Sequence, residues 1–198
     1  MNDEQIQSFL DEIGDSFHTL KRQVEISVKQ VDDEGFFAIL DNGSNSIAVI
    51  IKHLAGKMIS RWTDFLTTDG EPPDRHRDQE FILTPSDTRQ YLMARWETGW
   101  QLVFGAVSSI SSINFSTTVY IRGEAHSIVR ACHRQMTHYA YHVGQIVQLS
   151  RYHAGDNWKT LSIPLGRSET FNETFRQKQM KRKNIDDRFL PTYPFDQR

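Results

Sequence analysis

The chain reads as an all-α protein, an up-down four-helix bundle with a short extended segment before its last long helix. Three observations carry that expectation. Apolar residues recur at the spacing of one helix face over four long stretches. Cap and turn residues fall between those stretches. A single interval departs from the rhythm: Thr117-Thr118-Val119-Tyr120-Ile121 is β-branched and aromatic, with Gly123 close behind.

The first helix is expected over residues 3–30, where Ile6, Phe9, Leu10, Ile13, Phe17, Leu20, Val24 and Val28 mark one face. Asp41-Asn42-Gly43-Ser44 is turn chemistry, and Ser44 or Ser46 can cap the next helix. That second helix spans 47–66, with Ile47, Ile50, Ile51, Leu54, Met58, Trp62 and Phe65 inward. Residues 67–83 form a polar connection holding Gly70, Pro72 and Pro73. Thr84-Pro85-Ser86-Asp87 then offers a cap followed by proline at the first helical position. The third helix continues through Tyr91, Leu92, Trp96, Trp100, Val103, Phe104 and Val107, and serines at 108–112 end it. The fourth runs over 124–153 and stops at Ala154-Gly155-Asp156-Asn157. Beyond an ordered loop at 162–166 the chain turns polar, with Lys178, Lys181, Arg182 and Lys183 clustered. The expected division is a bundle at 1–165 and a polar C-terminal tail at 166–198.

Composition narrows the classes. At 198 residues the chain is long enough for one domain with a real core. A net charge of −2 argues against nucleic acid as a partner, which needs a basic surface. The lone cysteine, Cys132, excludes an intrachain disulfide and fits a reducing compartment. No apolar run approaches the roughly 20 residues of a membrane span. The first residues lack the pattern of a signal peptide. A cytoplasmic protein off the membrane is the expectation.

Three of the eight histidines stand out. His138 and His142 sit four apart, so two imidazoles share one face of the last helix. They fall on a stripe with Ala131, Gln135, Gln145, Ile146 and Leu149, and two buried imidazoles without partners would be costly unless a metal satisfied them. His53 can supply a third ligand from the second helix, although it lies at the edge of that helix's stripe between Lys52 and Lys57. Three protein ligands with a position open is the arrangement of catalytic metals. His126, near the expected start of the fourth helix, is the reserve ligand. His18, His76, His133 and His153 read as ordinary surface or packing residues, and Cys132 as a small buried one. Gln145 could orient a ligand or a water. Tyr139 and Tyr141 read as packing residues with hydroxyls to spare, and Arg134 as a surface ion-pair residue whose alternative is contact with an anion. Asp32-Asp33-Glu34 and Asp186-Asp187 read as solvated. No side chain is singled out as catalytic.

The placing of His53 in Ile51-Lys52-His53-Leu54, and of the pair in His138-Tyr139-Ala140-Tyr141-His142-Val143-Gly144-Gln145-Ile146, resembles the DinB/YfiT superfamily. The resemblance covers about residues 1–155 and extends into Trp158-Lys159-Thr160-Leu161-Ser162-Ile163-Pro164, which looks like a bacterial subgroup of uncharacterised function. It implies a four-helix bundle, a divalent metal (zinc or nickel foremost) held by His53, His138 and His142, and a homodimer. It further implies a metal-dependent enzyme using a low-molecular-weight thiol of the bacillithiol type, as an S-transferase or a related hydrolase or isomerase. The alternative is a non-catalytic metal-binding protein of the stress response that acts through dimerisation. A cleft of polar donors would favour the enzyme, and a metal sealed under aromatic rings the alternative.

Overall fold

The computed structural model describes residues 1–73 and 75–182. Among the described residues six helices run in order: α1 (Asp3–Val28), α2 (Asp33–Phe37), α3 (Ile47–Trp62), α4 (Arg89–Ser109), α5 (Ile128–Ala154) and α6 (Ser168–Arg182). A 3₁₀ turn at Arg77–Phe81 precedes α4, and the hairpin β1 (Thr118–Ile121) and β2 (Glu124–Ser127) precedes α5. Helices α1, α3, α4 and α5 are the four of the expected bundle. Chain contacts divide the molecule into Met1–Asn157 and Trp158–Arg198.

In the first unit α3 packs chiefly on α4, and α1 on α5. The apolar faces meet in an aromatic core, where Phe17, Trp62, Trp96, Trp100 and Tyr139 are all buried. Phe17 meets the Trp62 ring edge-on at 5.8 Å, and the Trp62 indole donates to the Tyr139 hydroxyl at 2.9 Å. Each such ring removes enough apolar surface from water to contribute about 2–3 kcal/mol. Helix ends follow their caps. Asn2 and Gln5 form a reciprocal capping box on α1, while Ser46, Thr88 and Ser127 cap α3, α4 and α5.

Several boundaries differ from the sequence reading, each for a local reason. Helix α3 ends at Trp62, not near 66, because Thr63 is extended and Asp64 takes φ +48°. Phe65 stays buried against Trp62 at 4.7 Å, which made it look like one more helical position. Helix α4 starts at Arg89, since Asp87 is spent elsewhere: its carboxylate accepts from the Thr84 amide and hydroxyl and from Lys52. Tyr91, expected inward, lies in the first turn and is exposed. Residues 124–127 belong to β2 instead of α5. The hairpin turn Arg122–Gly123 has φ +56° and +73°, the conformation in which glycine is favoured at a tight two-residue turn.

Asp32, expected to be solvated, caps the short helix α2 through the Gly35 amide. Helix α6 occupies part of the expected tail, where low apolar content left no periodic face to read. The side chains of the Lys178, Lys181, Arg182 and Lys183 cluster, and Asp186-Asp187, lie outside the described residues. No helix of the described residues is long and apolar enough to cross a membrane.

Candidate metal centre

Helix periodicity pairs His138 and His142, and the packing of α3 on α5 brings His53 to them. His53 projects from α3 and is 2% exposed; His138 and His142 project from α5 and are half-buried. One nitrogen from each lies within 4.8 Å of the others, and among the described residues these three histidines form the group able to hold an ion. The Nε2 atoms of His53 and His138 are 3.4 Å apart. A tetrahedral ion with bonds of about 2.0–2.1 Å spaces its nitrogens roughly 3.3 Å apart. Those two are therefore already at ligand spacing.

Hydrogen bonds on the outer nitrogens set the tautomers of two rings. His53 Nδ1 is 2.9 Å from Glu80 Oε2, and a carboxylate only accepts, so the ring donates there and keeps the Nε2 lone pair free. His142 Nδ1 does the same toward Gln145 Oε1 at 2.8 Å. His138 Nδ1 is buried without a partner. Burial, followed by the neighbouring His142, His53, Lys57 and Arg75, pushes the His138 pKa down to about 3. Burial lowers His142 as well, against the pull of Gln145. Both α5 imidazoles are thus neutral at pH 7, the form that ligates metals. The donor set fits a divalent cation.

The connection between α3 and α4 supports His53. Arg75 holds Glu80 with two bonds, Nε to Oε1 at 2.9 Å and Nη2 to Oε2 at 2.8 Å. Arg75 also donates to both oxygens of Glu71 at 3.0 Å. Glu80 reaches His53 because Gly56 has no side chain: a Cβ there would sit 2.5 Å from Glu80 Oε1. Phe81 stacks on the His53 ring at 4.7 Å, and Arg77 lies over the Phe81 ring at 5.2 Å. Asp69 ties this segment to the hairpin by accepting from the Arg122 and Gly123 amides at 2.8 and 2.6 Å.

Other candidates fall elsewhere. His126, the reserve ligand, is on β2 and outside the trio; it is buried with Glu124 3.7 Å away. Cys132 is buried and its thiol pushed up to about 12, so it is no thiolate nucleophile. Tyr139 is a core residue, Tyr141 is exposed with its ring beside His142, and Arg134 makes a long surface pair with Glu124. His18 stacks on Phe104 and His133 meets Phe9 edge-on.

Glu80, Arg75 and Phe81 were not legible as site residues. The available signal was the length of the connection, since long loops in compact domains are commonly functional.

A family model described as "Protein of unknown function (DUF1572)" matches residues 4–167. No curated protein matches. Among solved structures the chain is similar to YfiT from Bacillus subtilis, described as a probable metal-dependent hydrolase with an unusual four-helix bundle topology. Identity is 17% and the TM-score 0.61, over 80% of this chain and 91% of that one.

Proposed function

The chain belongs to the DUF1572 family and has the fold of the DinB/YfiT-like bundles; on that premise we propose that it is a divalent-metal enzyme whose nucleophile binds at an open three-histidine centre. The observation that carries the reading is the convergence of three imidazoles whose two outer supports, Glu80 and Gln145, turn lone pairs inward. His53, His138 and His142 would hold the ion. When bound, such an ion lowers the pKa of a coordinated water or thiol and supplies a nucleophile at neutral pH. Glu80 fixes the ring of His53 and its tautomer, as carboxylates behind metal-binding histidines do. Phe81 keeps water off the face of His53. The half-buried α5 histidines leave an approach for a small molecule.

The finer assignment is S-transfer to or from a low-molecular-weight thiol, in a cytoplasmic homodimer, with zinc or nickel as the ion. The family resemblance supports the thiol; the description of YfiT as a probable metal-dependent hydrolase supports water in the same position. Aromatic rings beside the ligands favour a sealed, non-catalytic metal: Phe81 stacks on His53, Tyr139 lies beside His138 and Tyr141 beside His142. Tyr141 is itself exposed and both α5 histidines stay half-buried, which favours the open centre.

Metal content of untagged protein by mass spectrometry, wild type beside His142→Ala, tests the centre. About one zinc or nickel per chain in wild type and little in the variant is expected. Equal, near-zero content, with no thermal shift on adding either metal, refutes it. Screening the loaded protein for consumption of a thiol with an electrophile, against hydrolysis of esters and amides, then separates the two nucleophiles.

A further inference from the structure

Lys57 has no part in the supports of His53 and His142. It follows His53 by one turn on the same face of α3, with 13% of its side chain exposed. Its ammonium stands 3.5 Å from Glu71 Oε2, and that carboxylate is already taken. Arg61 Nη2 reaches Oε2 at 3.2 Å, Arg75 Nη1 bridges both oxygens at 3.0 Å, and Arg122 Nη2 reaches Oε1 at 3.2 Å. Four cations share one acceptor. A half-buried ammonium carries three donors that need acceptors, and Glu71 has little capacity left.

Charge around the trio points the same way. Lys57, Arg61, Arg75 and Arg122 outnumber Asp69, Glu71 and Glu80 in the network. Lys57 and Arg75 bear on His138, and Arg77 on His142. Arg61 is 1% exposed and its Nε and Nη1 are buried without partners. Burial, then the nearby Arg61, lowers the Lys57 pKa to about 8 against the pull of Glu71, which leaves the group mostly charged at pH 7. A bound divalent ion would add to this surplus. Such a field concentrates anions at the site.

We propose that Lys57 anchors an anionic oxygen, a carboxylate or similar oxyanion, on the small molecule whose donor atom takes the open position beside the histidine trio. The inference rests on the metal-centre reading and narrows its ligand to an anion-bearing class. Lys57 is one turn from His53, close enough to His138 to act on its ionisation, and loosely paired with a crowded Glu71, whereas Arg75 is fixed by two carboxylates.

Cobalt(II) in the site reports thiolate binding through its charge-transfer absorption. The cobalt-loaded protein and its Lys57→Met and Lys57→Arg variants are titrated with 3-mercaptopropionate and with 2-mercaptoethanol. The two probes share a donor atom and differ in the carboxylate. Comparing the affinity ratio of the probes between proteins cancels their intrinsic difference as ligands. Wild type is expected to favour the carboxylate probe about 10-fold more than Lys57→Met does, the worth of one charge-assisted hydrogen bond. Lys57→Arg keeps most of that preference, and the affinity for 2-mercaptoethanol stays level. An unchanged ratio in Lys57→Met, or a cobalt spectrum with no thiolate band from either probe, overturns the anchor and leaves the metal centre standing. A wild type that takes up no cobalt removes both.

Discussion

The two sides of the histidine trio are built by different means. On the α5 side, His138 and His142 are brought together by one helical turn, stay half-buried, and have a single outer support, the Gln145 amide. On the α3 side, His53 is buried under Phe81 and backed by a carboxylate. That carboxylate is held by Arg75, itself braced on Glu71. One side is fixed by backbone periodicity and left open, the other by a stack of side chains from a connecting loop. An open centre needs both: ligands rigid enough to hold an ion, and an edge where a small molecule can enter.

If the α3 side is the preorganised one, its supports should matter most. Glu80→Gln keeps the acceptor oxygen and removes the charge, so it tests the carboxylate apart from the shape. A 10- to 100-fold loss of zinc affinity is expected, the range for groups behind metal ligands. Competition against a chromophoric chelator measures it, and equal affinities would mean that Glu80 only pins the loop. Gly56→Ala is next in size. Its Cβ would crowd Glu80 Oε1 and displace the carboxylate without altering any charge. A several-fold loss in the same assay is expected, with helix α3 kept, since alanine is the better helix former by about 1 kcal/mol. Unchanged affinity would show that Glu80 can retreat and still hold His53.

The same contrast explains what could be read in advance. The bundle and the positions of His138 and His142 follow from a period of 3.6 residues, which the sequence displays directly. His53 looked like an edge residue because an ideal helix puts it beside Ile50, off the middle of the stripe centred on Leu54. The structure buries it with parts from outside the helix, Glu80 and Phe81, and no periodicity announces such long-range contacts. Boundaries went astray for a related reason. Phe65, Asp87 and Glu124 each match a helical pattern, yet Asp64 turns the chain, Lys52 claims the Asp87 carboxylate, and Glu124 pairs with Ile121 in the hairpin. In the sequence Lys57 was legible only as one of two lysines flanking His53. Its meaning depends on how many other cations Glu71 already serves.

The smallest expected effect is on the α5 side. Gln145 accepts from His142 Nδ1 with a neutral amide, in a half-buried position next to solvent. Such a bond exchanges readily with water and contributes about 0.5–1.5 kcal/mol. Gln145→Ala should therefore weaken zinc binding by only about 2- to 10-fold, and a mid-helix alanine should leave the melting temperature of the metal-free protein level or slightly raised. The informative quantity is its size relative to Glu80→Gln. A clearly smaller effect supports the division of labour between the two sides. A loss as large as that of Glu80→Gln would mean that the orientation of His142, more than the burial of His53, limits the centre, and that the open edge is as closely specified as the buried one.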